Sequence, residues 1–429
     1  MAFGLIDRFT GYTLRHLHDI ERAYAAPASD RASTTAWRRS TVMAAARPAY
    51  AQVLGWDPPT SDEPADWPIL RKTEARAIAA AAQARSTSPH KIVTTSGSGG
   101  VPLQLPLSAF RHARQHAELL YYTGWFGYRV GDPHAYVSIS GAKTRVTAWM
   151  QNEQHLHADT IGLDWCDDAL KKLRSRHYRA LIGYPSTLEL LAATATNNGR
   201  HRTFDVDAVV TIGEPLKPST RATLDAVFGG PTVSRYAARE LGVIAHECER
   251  QQFHVNSATF DFELIDPSGQ PVTEPGDSGR VVVTDLFARQ VPLVRYELGD
   301  IATWGTPCDC GRPGPTLERI DGRSTDTLET TDGKPISGFR INSAFRNVRT
   351  IHQFQFQQRD DGYRILVVPS KNGDDARHDL DAATGDLKSV LGADAAIEVE
   401  FVEVVPADPS GKRPNVKDLR SDTARASQT

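Results

Sequence analysis

The chain has 429 residues, of which 40% are hydrophobic and 24% charged, and its formal net charge is −3. This composition is that of a globular protein of two or three domains, and the near-neutral charge argues against a general nucleic-acid-binding surface. Four cysteines are too few for a disulfide-stapled scaffold, and neither a secretory signal nor a membrane-spanning apolar run is evident. We therefore expect a soluble, cytoplasmic protein.

The first part of the chain is predicted to be helical. Residues 11–55 and 70–84 are rich in Ala, Arg and Leu, and a Pro-rich stretch precedes the second segment. From 91 to about 240, short apolar runs alternate with helical segments. HAYVSIS (134–140), YRALIGYP (178–185) and DAVVTIG (207–213) are the expected buried strands. This alternation predicts a mainly parallel α/β sheet.

The residue composition of the chain changes after residue 257. Runs rich in Val, Phe and Tyr between 258 and 305 indicate a β-rich subdomain. Beyond a polar stretch, strand-like runs at 351–358, 363–370 and 396–405 surround a predicted helix near 374–391. These elements are sufficient for a small α+β domain of about 90 residues.

A run of small residues follows the strand-like Ile92 and Val93. It contains Thr95, Ser96, Gly97, Ser98, Gly99 and Gly100, and ends at Pro102. Glycines permit tight turns, and backbone N–H groups with Ser and Thr hydroxyls can surround a phosphate. A flexible surface loop is the simpler interpretation of this run alone.

Further motifs follow in a fixed order: VVTIGEPL at 209–216, SRYAARELG at 234–242, LVRYELGDIA at 293–302, IDGRSTD at 320–326, SGFRI at 337–341 and DPSGKRPNV at 408–416. Together with the loop at 95–102, the set resembles the adenylate-forming superfamily of acyl-CoA synthetases, adenylation domains and luciferases. Within it, the chain is most similar to the phenylacetate–CoA ligase branch, including capsular-polysaccharide-type members. The resemblance extends from about residue 71 to residue 416.

The resemblance implies an α/β fold with a large N-terminal adenylate-forming domain (1–324), made of mainly parallel sheets with helices plus the β-rich subdomain. A small mobile α+β C-terminal domain (325–429) would carry a catalytic lysine. It also assigns residues 95–100 to ATP phosphate binding. Gly99 stands where the family usually has Thr, and Leu103 where many members have Lys.

The remaining motifs imply the rest of the nucleotide site. Gly213 and Glu214 would flank the adenine, Tyr236 would lie on its ring, and Glu240 would hold Mg²⁺. Arg239 replaces the usual Thr or Ser and could form a fork to a phosphate or carboxylate, although an Arg–Glu pair at the surface start of a helix is the alternative. Asp300 would bind both ribose hydroxyls.

Two further roles follow from the same resemblance. Arg323 would contact the ribose or a phosphate, and Thr325 occupies a hinge position that is often Asp. Lys412 would reach the α-phosphate and the attacking carboxylate during adenylation. In isolation, this lysine would instead be taken for part of a loop in a frayed tail.

Three of the four cysteines lie at positions from which they could bind one metal ion. Cys248 precedes His254, and Cys308 and Cys310 lie in a Gly- and Pro-containing turn. Cys₃His is an accepted structural zinc set, whereas separately packed reduced thiols are the alternative. Cys166 is expected to be an ordinary helix residue.

No short motif in the sequence identifies the acyl pocket. Candidates are the segment 138–145, His155 and His157 in QNEQHLHAD, and Tyr184 in IGYPS. Solvated loop histidines are the simpler interpretation. The aromatic residues of 119–128 could line an aromatic-acid pocket or belong to the core.

The predicted function is ATP-dependent adenylation of an aromatic or small carboxylic acid to acyl-AMP, with release of pyrophosphate. The acyl group would then pass to CoA, a carrier-protein thiol or an amine. A same-fold enzyme that activates another oxyanion, such as nitrite in diazotisation, is the first alternative, and a non-catalytic nucleotide binder is the second. The expected cofactors are ATP, Mg²⁺, a structural Zn²⁺ and CoA. No nucleic-acid or membrane partner is expected, and the sequence does not indicate an oligomeric state.

Overall fold

The structure is a computed structural model that describes residues 12–85, 90–95, 103–138, 143–157, 163–197, 199, 204–323, 327–338, 341, 344–345, 348, 350–369, 373–406 and 413–420. Its N-terminal region is helical, as predicted, and the strand before the small-residue run pairs with a second strand to form an antiparallel hairpin. The elements are α1 (Tyr12–Ala25), α2 (Ala28–Leu54), α3 (Lys72–Arg85), β1 (His90–Thr94), β2 (Gln104–Ser108) and α4 (Ala109–Gly124).

Strands and helices then alternate, as predicted from the apolar runs. The elements are β3 (His134–Ser138), α5 (Arg145–Met150), β4 (Glu153–His157), α6 (Leu163–Leu173), β5 (Ala180–Gly183), α7 (Pro185–Asn197), β6 (Val209–Ile212), α8 (Pro218–Phe228) and β7 (Thr232–Ala238). The five strands are parallel, in the order β4-β3-β5-β6-β7. Helices α6, α7 and α8 cover one face around a core that includes Cys166.

The β-rich region continues this sheet. Its strands are β8 (Gly242–Glu247), β9 (Phe253–Val255), β10 (Phe260–Ile265), β11 (Pro271–Val272), β12 (Ser278–Asp285), β13 (Tyr296–Trp304) and β14 (Thr316–Arg323). Because β8 pairs antiparallel with β7, the two parts form one twelve-stranded sheet. The parallel strands and the β-rich subdomain predicted from the sequence are therefore hydrogen-bonded to each other.

The C-terminal region has its own sheets and its own apolar core. Its elements are β15 (Thr327–Glu329), β16 (Pro335–Ser337), β17 (Ile351–Arg359), β18 (Gly362–Pro369), α9 (Gly373–Leu391), β19 (Ile397–Phe401) and β20 (Val416–Asp418). Four of the strands form a sheet in the order β19-β18-β17-β20. The predicted hinge residue Thr325 lies outside the described residues, and the boundary between 324 and 325 stays a prediction.

Helix α4 is fixed beneath the sheet by buried ion pairs. Arg111 donates to Asp285 at 2.7 Å and to Glu118 at 3.2 Å, and all three side chains are fully buried. Breaking such a buried pair leaves an uncompensated charge, so these contacts specify where α4 lies. Near the C-terminal end of α4, the Thr123 hydroxyl accepts a hydrogen bond from Arg235 of β7. Among the described helices, none is both long and apolar enough to cross a membrane.

Candidate functional site

The base of the predicted phosphate loop is fixed by paired hydrogen bonds. The backbone N–H of Thr95 donates to the Leu103 carbonyl at 3.0 Å, and the Leu103 N–H donates to the Thr95 hydroxyl at 3.1 Å. The loop residues Ser96, Gly97, Ser98, Gly99 and Gly100 lie outside the described residues. Arg239 donates from its guanidinium to the carbonyl of Thr94 at 3.3 Å, so this exposed cation lies at the start of the loop.

The proposed adenine and ribose residues meet across the sheet. The Tyr236 hydroxyl on β7 donates to the Asp300 carboxylate on β13 at 2.6 Å. Asp300 in turn pairs in register with Arg323, the last residue of β14. The backbone of the sheet thus brings together three residues that lie far apart in the sequence. The side chain of Arg323 lies outside the described residues.

Glu240, the proposed magnesium ligand, occupies the turn between β7 and β8. Its carboxylate is buried and accepts a hydrogen bond from the Tyr296 hydroxyl at 3.2 Å. Gly242 closes this turn at φ 87°, and a side chain there would collide with the Glu118 carboxylate. The surface helix start considered for Arg239 and Glu240 is therefore wrong, because the segment is a turn between two strands.

Glu214, at the end of the predicted adenine segment, joins the two parts of the chain. Its half-buried carboxylate accepts hydrogen bonds from the Ser186 N–H and hydroxyl, both at 3.1 Å, and from the Arg413 N–H at 3.0 Å. The Arg413 guanidinium also donates to the Ser186 hydroxyl at 3.1 Å. Burial raises the pKa of Glu214 above its usual value. Gly213, just before it, adopts φ 73°.

The sequence motifs did not identify Ser186 or Arg413 as functional residues. Arg413 directly follows the predicted catalytic Lys412, which lies outside the described residues. A second contact between the two parts places Lys217 Nζ 5.0 Å from the centre of the Phe354 ring. Burial lowers the pKa of this lysine to about 8. A small cavity of about 40 Å³ lies at this junction, between Glu214, Lys217, Phe354 and Arg413.

The candidate acyl residues His155 and His157 lie on a strand that the sequence analysis did not predict. In β4, His155 Nδ1 lies 2.8 Å from the Glu153 carboxylate. Burial would raise the pKa of Glu153, but hydrogen bonds from His134, Lys143 and His155 lower it to about 2. His155 is therefore part of a buried network, and it does not lie in a solvated loop.

Tyr136 links this histidine pair to the centre of the sheet. Its ring stacks on His155, and His155 stacks on His157, each with ring centres 6.0 Å apart. Tyr184, the third candidate, directly follows β5, and its carbonyl accepts the first hydrogen bonds of α7. These three candidates thus lie at or beside the same group of parallel strands.

The four predicted metal ligands converge. Among the described residues, Cys248, His254, Cys308 and Cys310 present ligand atoms that all lie within 4.8 Å of one another. The Cys248 and Cys308 sulfurs are 3.7 Å apart, and the Cys310 sulfur lies 3.3 Å from His254 Nε2.

The surroundings of this Cys₃His cluster suit a metal. His254 Nδ1 lies 3.0 Å from the Pro313 carbonyl, which can only accept, so Nδ1 carries the proton and Nε2 presents its lone pair. The backbone N–H groups of Arg250 and Arg312 approach the Cys248 and Cys310 sulfurs at 3.3 and 3.4 Å. Such donors stabilise thiolate ligands, and the donor set fits tetrahedral zinc.

Comparison with known proteins gives the family context. A family model described as the CapK C-terminal domain matches residues 328–418. Protein CapK of Staphylococcus aureus is 24% identical over 335 residues, which are 74% of this chain and 72% of CapK. A phenylacetate–coenzyme A ligase of Thermus thermophilus is 32% identical over 152 residues, or 34% of each chain.

Solved structures of another protein share the fold of this chain over nearly its whole length. A 2-hydroxyisobutyryl-CoA ligase in the postadenylation state, in complex with 2-HIB-AMP, superposes with a TM-score of 0.72 at 20% identity, covering 95% of this chain and 93% of the ligase. The same ligase in the thioesterification state, with 2-HIB-AMP and CoA, gives 0.61 at 19% identity, covering 95% and 94%. The predicted fold class is confirmed: the chain has the fold of this acyl-CoA ligase over nearly its whole length, and it is similar in sequence to CapK and to a phenylacetate–CoA ligase.

Proposed function

We propose that the protein activates a carboxylic acid with ATP to form an acyl-adenylate and pyrophosphate, and then transfers the acyl group to a nucleophile. The observation that carries this proposal is the convergence of Tyr236, Asp300 and the Arg323 backbone, with Arg239 at the base of the phosphate loop. A ribose needs an acceptor for its two hydroxyls, and a triphosphate needs donors and cations nearby. These groups occupy neighbouring positions along one sheet.

The residues of this chain have separable tasks in the first step. Asp300 accepts hydrogen bonds from the ribose, and Tyr236 holds that carboxylate while its ring supports the adenine. The buried Glu240 carboxylate fits Mg²⁺, which takes few protein oxygens and completes its shell with water and phosphate. The bound cation would offset the phosphate charge that opposes attack by a carboxylate. Arg239 and Lys412 would add charge where the α-phosphate becomes more negative.

Transfer would require the C-terminal part to leave the site, and its present contacts support an adenylation-like arrangement. Arg413, the residue after Lys412, hydrogen-bonds to Ser186 and to Glu214, which belongs to the segment we propose for adenine binding. The higher TM-score against the postadenylation-state ligase agrees with this arrangement. CoA is the acceptor we propose first, because the phenylacetate–CoA ligase relative and the 2-hydroxyisobutyryl-CoA ligase are named for it. A carrier-protein thiol or an amine is the alternative acceptor.

We assign the Cys₃His cluster a structural role. Its ligands come from the end of β8, from β9 and from the connection between β13 and β14, so a zinc ion there would tie these segments together. All four protein ligands are supplied by the chain, which is typical of closed structural sites.

The proposal is tested by product analysis. Purified protein is incubated with ATP, Mg²⁺ and a panel of aromatic acids, aliphatic acids and nitrite, with and without CoA. Acid-dependent formation of AMP and pyrophosphate is expected. Turnover with nitrite alone would favour the diazotisation alternative, and tight ATP binding without any turnover would favour a regulatory nucleotide binder.

Asp300→Ala should raise the Kd for ATP by about tenfold to a hundredfold, because two hydrogen bonds to a charged acceptor are lost. The measurement is calorimetric titration of ATP into the protein. Tyr236→Phe is the matched control, since it removes the hydroxyl contact to Asp300 but keeps the ring, and it should weaken binding much less. An unchanged Kd in Asp300→Ala would remove Asp300 from the ribose site.

A further inference from the structure

Among the described residues, one buried arginine has no carboxylate partner, whereas the other buried arginines do. The Arg235 guanidinium, with 7% of the residue exposed, donates to the Thr123 hydroxyl at 2.8 Å, and its buried Nε has no hydrogen-bond partner. In the described part of the chain no carboxylate forms an ion pair with it. Each of the other buried arginines has such a carboxylate: Arg38 and Arg114 bind Asp19, Arg111 binds Asp285, and Arg295 binds Glu263.

An unpaired buried cation is unfavourable, and it needs a reason in the fold or in a ligand. Burial lowers the pKa of Arg235 to about 10, so the group still carries its charge at neutral pH. Its cross-strand neighbour His246 cannot supply a negative charge. An imidazole ring is either neutral or positively charged. The positive charge is therefore uncompensated by these neighbours.

The position of Arg235 in the sheet connects it to the candidate acyl pocket. In-register pairing places Tyr136, Ile182, Val210 and Val233 in one row across the parallel strands. Arg235 lies two residues beyond Val233, on the same face and closer to the carboxyl ends of the strands. Ligands in open α/β sheets bind at that edge.

The candidate acyl residues share this face. His155 pairs with Tyr136, and Tyr184 is the second residue after Ile182, directly beyond the end of β5. Partly buried aromatic rings of Phe126, Tyr128 and Tyr136 pack against the apolar row. Tyr236, by contrast, points to the opposite face and meets Asp300. The guanidinium thus faces the acyl side of the sheet, among aromatic groups, and not the ribose.

We propose that Arg235 binds a second carboxylate on the acid substrate, so that the enzyme is selective for dicarboxylic acids. This inference rests on the proposed function. One carboxylate attacks the α-phosphorus. The other accepts hydrogen bonds from the Arg235 guanidinium and supplies the negative charge that pairs with it. A guanidinium is suited to this task because its planar donors match a carboxylate. Thr123 holds the guanidinium from the α4 side and leaves Nε for the substrate.

The test compares matched acids that differ only in the second charge. Aromatic and aliphatic dicarboxylic acids are paired with their monoamides, and acid-dependent pyrophosphate release is measured for the natural protein, Arg235→Lys and Arg235→Gln. The natural protein should prefer the diacid by about a hundredfold or more in kcat/KM. Arg235→Gln should lose this preference while keeping turnover of the monoamide, and Arg235→Lys should retain part of it. Arg221→Gln is the control. It breaks the ion pair between Arg221 of α8 and Glu247 of β8, and it should keep the preference for the diacid.

Equal or better use of the monoamides by the natural protein, or an undiminished preference in Arg235→Gln, would overturn the inference. Melting temperatures provide an independent measurement. Without ligand, Arg235→Gln should melt no lower than the natural protein, and a dicarboxylate should raise the melting temperature of the natural protein only. A clear loss of melting temperature in Arg235→Gln with no ligand effect in either protein would show a purely structural arginine.

The two proposals fail in different ways. If no acid releases pyrophosphate but a dicarboxylate stabilises only the natural protein, the proposed function fails and Arg235 remains an anion-binding residue. If monocarboxylic acids are adenylated and dicarboxylic acids are not, adenylation stands and the inference about Arg235 is wrong.

Discussion

Replacing Lys412 by Ala is expected to slow acyl-adenylate formation by about a hundredfold to a thousandfold. The substitution removes a positive charge from the point where the attacking carboxylate and the α-phosphate become more negative, and removal of one such stabilising group has effects of this size. The measurement is the rate of acid-dependent pyrophosphate release. Arg413, the next residue, contacts Ser186 and Glu214, and these contacts support the proposed role of Lys412.

The second half-reaction separates a catalytic role for Lys412 from a structural one. With chemically prepared acyl-AMP and CoA, Lys412→Ala should transfer the acyl group at nearly the natural rate, because the lysine is proposed to act only in adenylation. Lys417→Ala, in β20 of the same region, is the matched control and should leave both rates close to those of the natural protein. Equal losses in the two half-reactions would contradict the role assigned to Lys412.

Purified protein is expected to contain about one zinc ion per chain, and Cys310→Ser should abolish stoichiometric binding. Loss of one of the four ligands should weaken zinc affinity by more than about tenfold to hundredfold, which is the typical loss when a residue that hydrogen-bonds to a ligand is replaced. Because the ion would link β8, β9 and the β13–β14 connection, the melting temperature should fall together with the metal content. Elemental analysis and thermal unfolding on the same samples measure both effects.

Cys166→Ser is the matched control for the zinc prediction. Cys166 is also buried, but it lies on α6, in the core between the parallel strands and their helices, and it does not belong to the Cys₃His cluster. Its substitution should leave the zinc content unchanged. Natural protein that contains no zinc after purification without chelators, and that does not take up added zinc, would show that the four side chains are separately packed thiols and an imidazole.

The sequence predicted the parts of the site that depend on short motifs and on alternating elements. Tyr236 and Asp300 are 64 residues apart, yet each lies in a recognisable motif, and the structure places their side chains in contact. The Cys₃His cluster was also predicted from the sequence, and the structure brings its four side chains together. The apolar runs at 134–140, 178–185 and 207–213 all contain strands of the parallel sheet.

The features that were missed depend on contacts between distant segments. Strand β4 is polar at every position except Leu156, so apolar periodicity does not reveal it, and Glu153 contacts His134 and His155 within the sheet. The Glu214–Arg413 contact joins residues 199 apart, and neither belongs to a pattern that predicts the pairing. Arg235 becomes informative only when its surroundings are known, because the lack of a carboxylate partner within the described structure is a property of the fold and not of the residue.

The most direct test of the account follows an oxygen atom from the acid to the nucleotide. The acid that supports turnover is prepared with heavy oxygen in its carboxylate, and the AMP released in the complete reaction is analysed by mass spectrometry. Attack of the carboxylate on the α-phosphorus predicts that one labelled oxygen appears in AMP. Unlabelled AMP, or ADP and phosphate as the products, would contradict the proposal that this protein forms an acyl-adenylate.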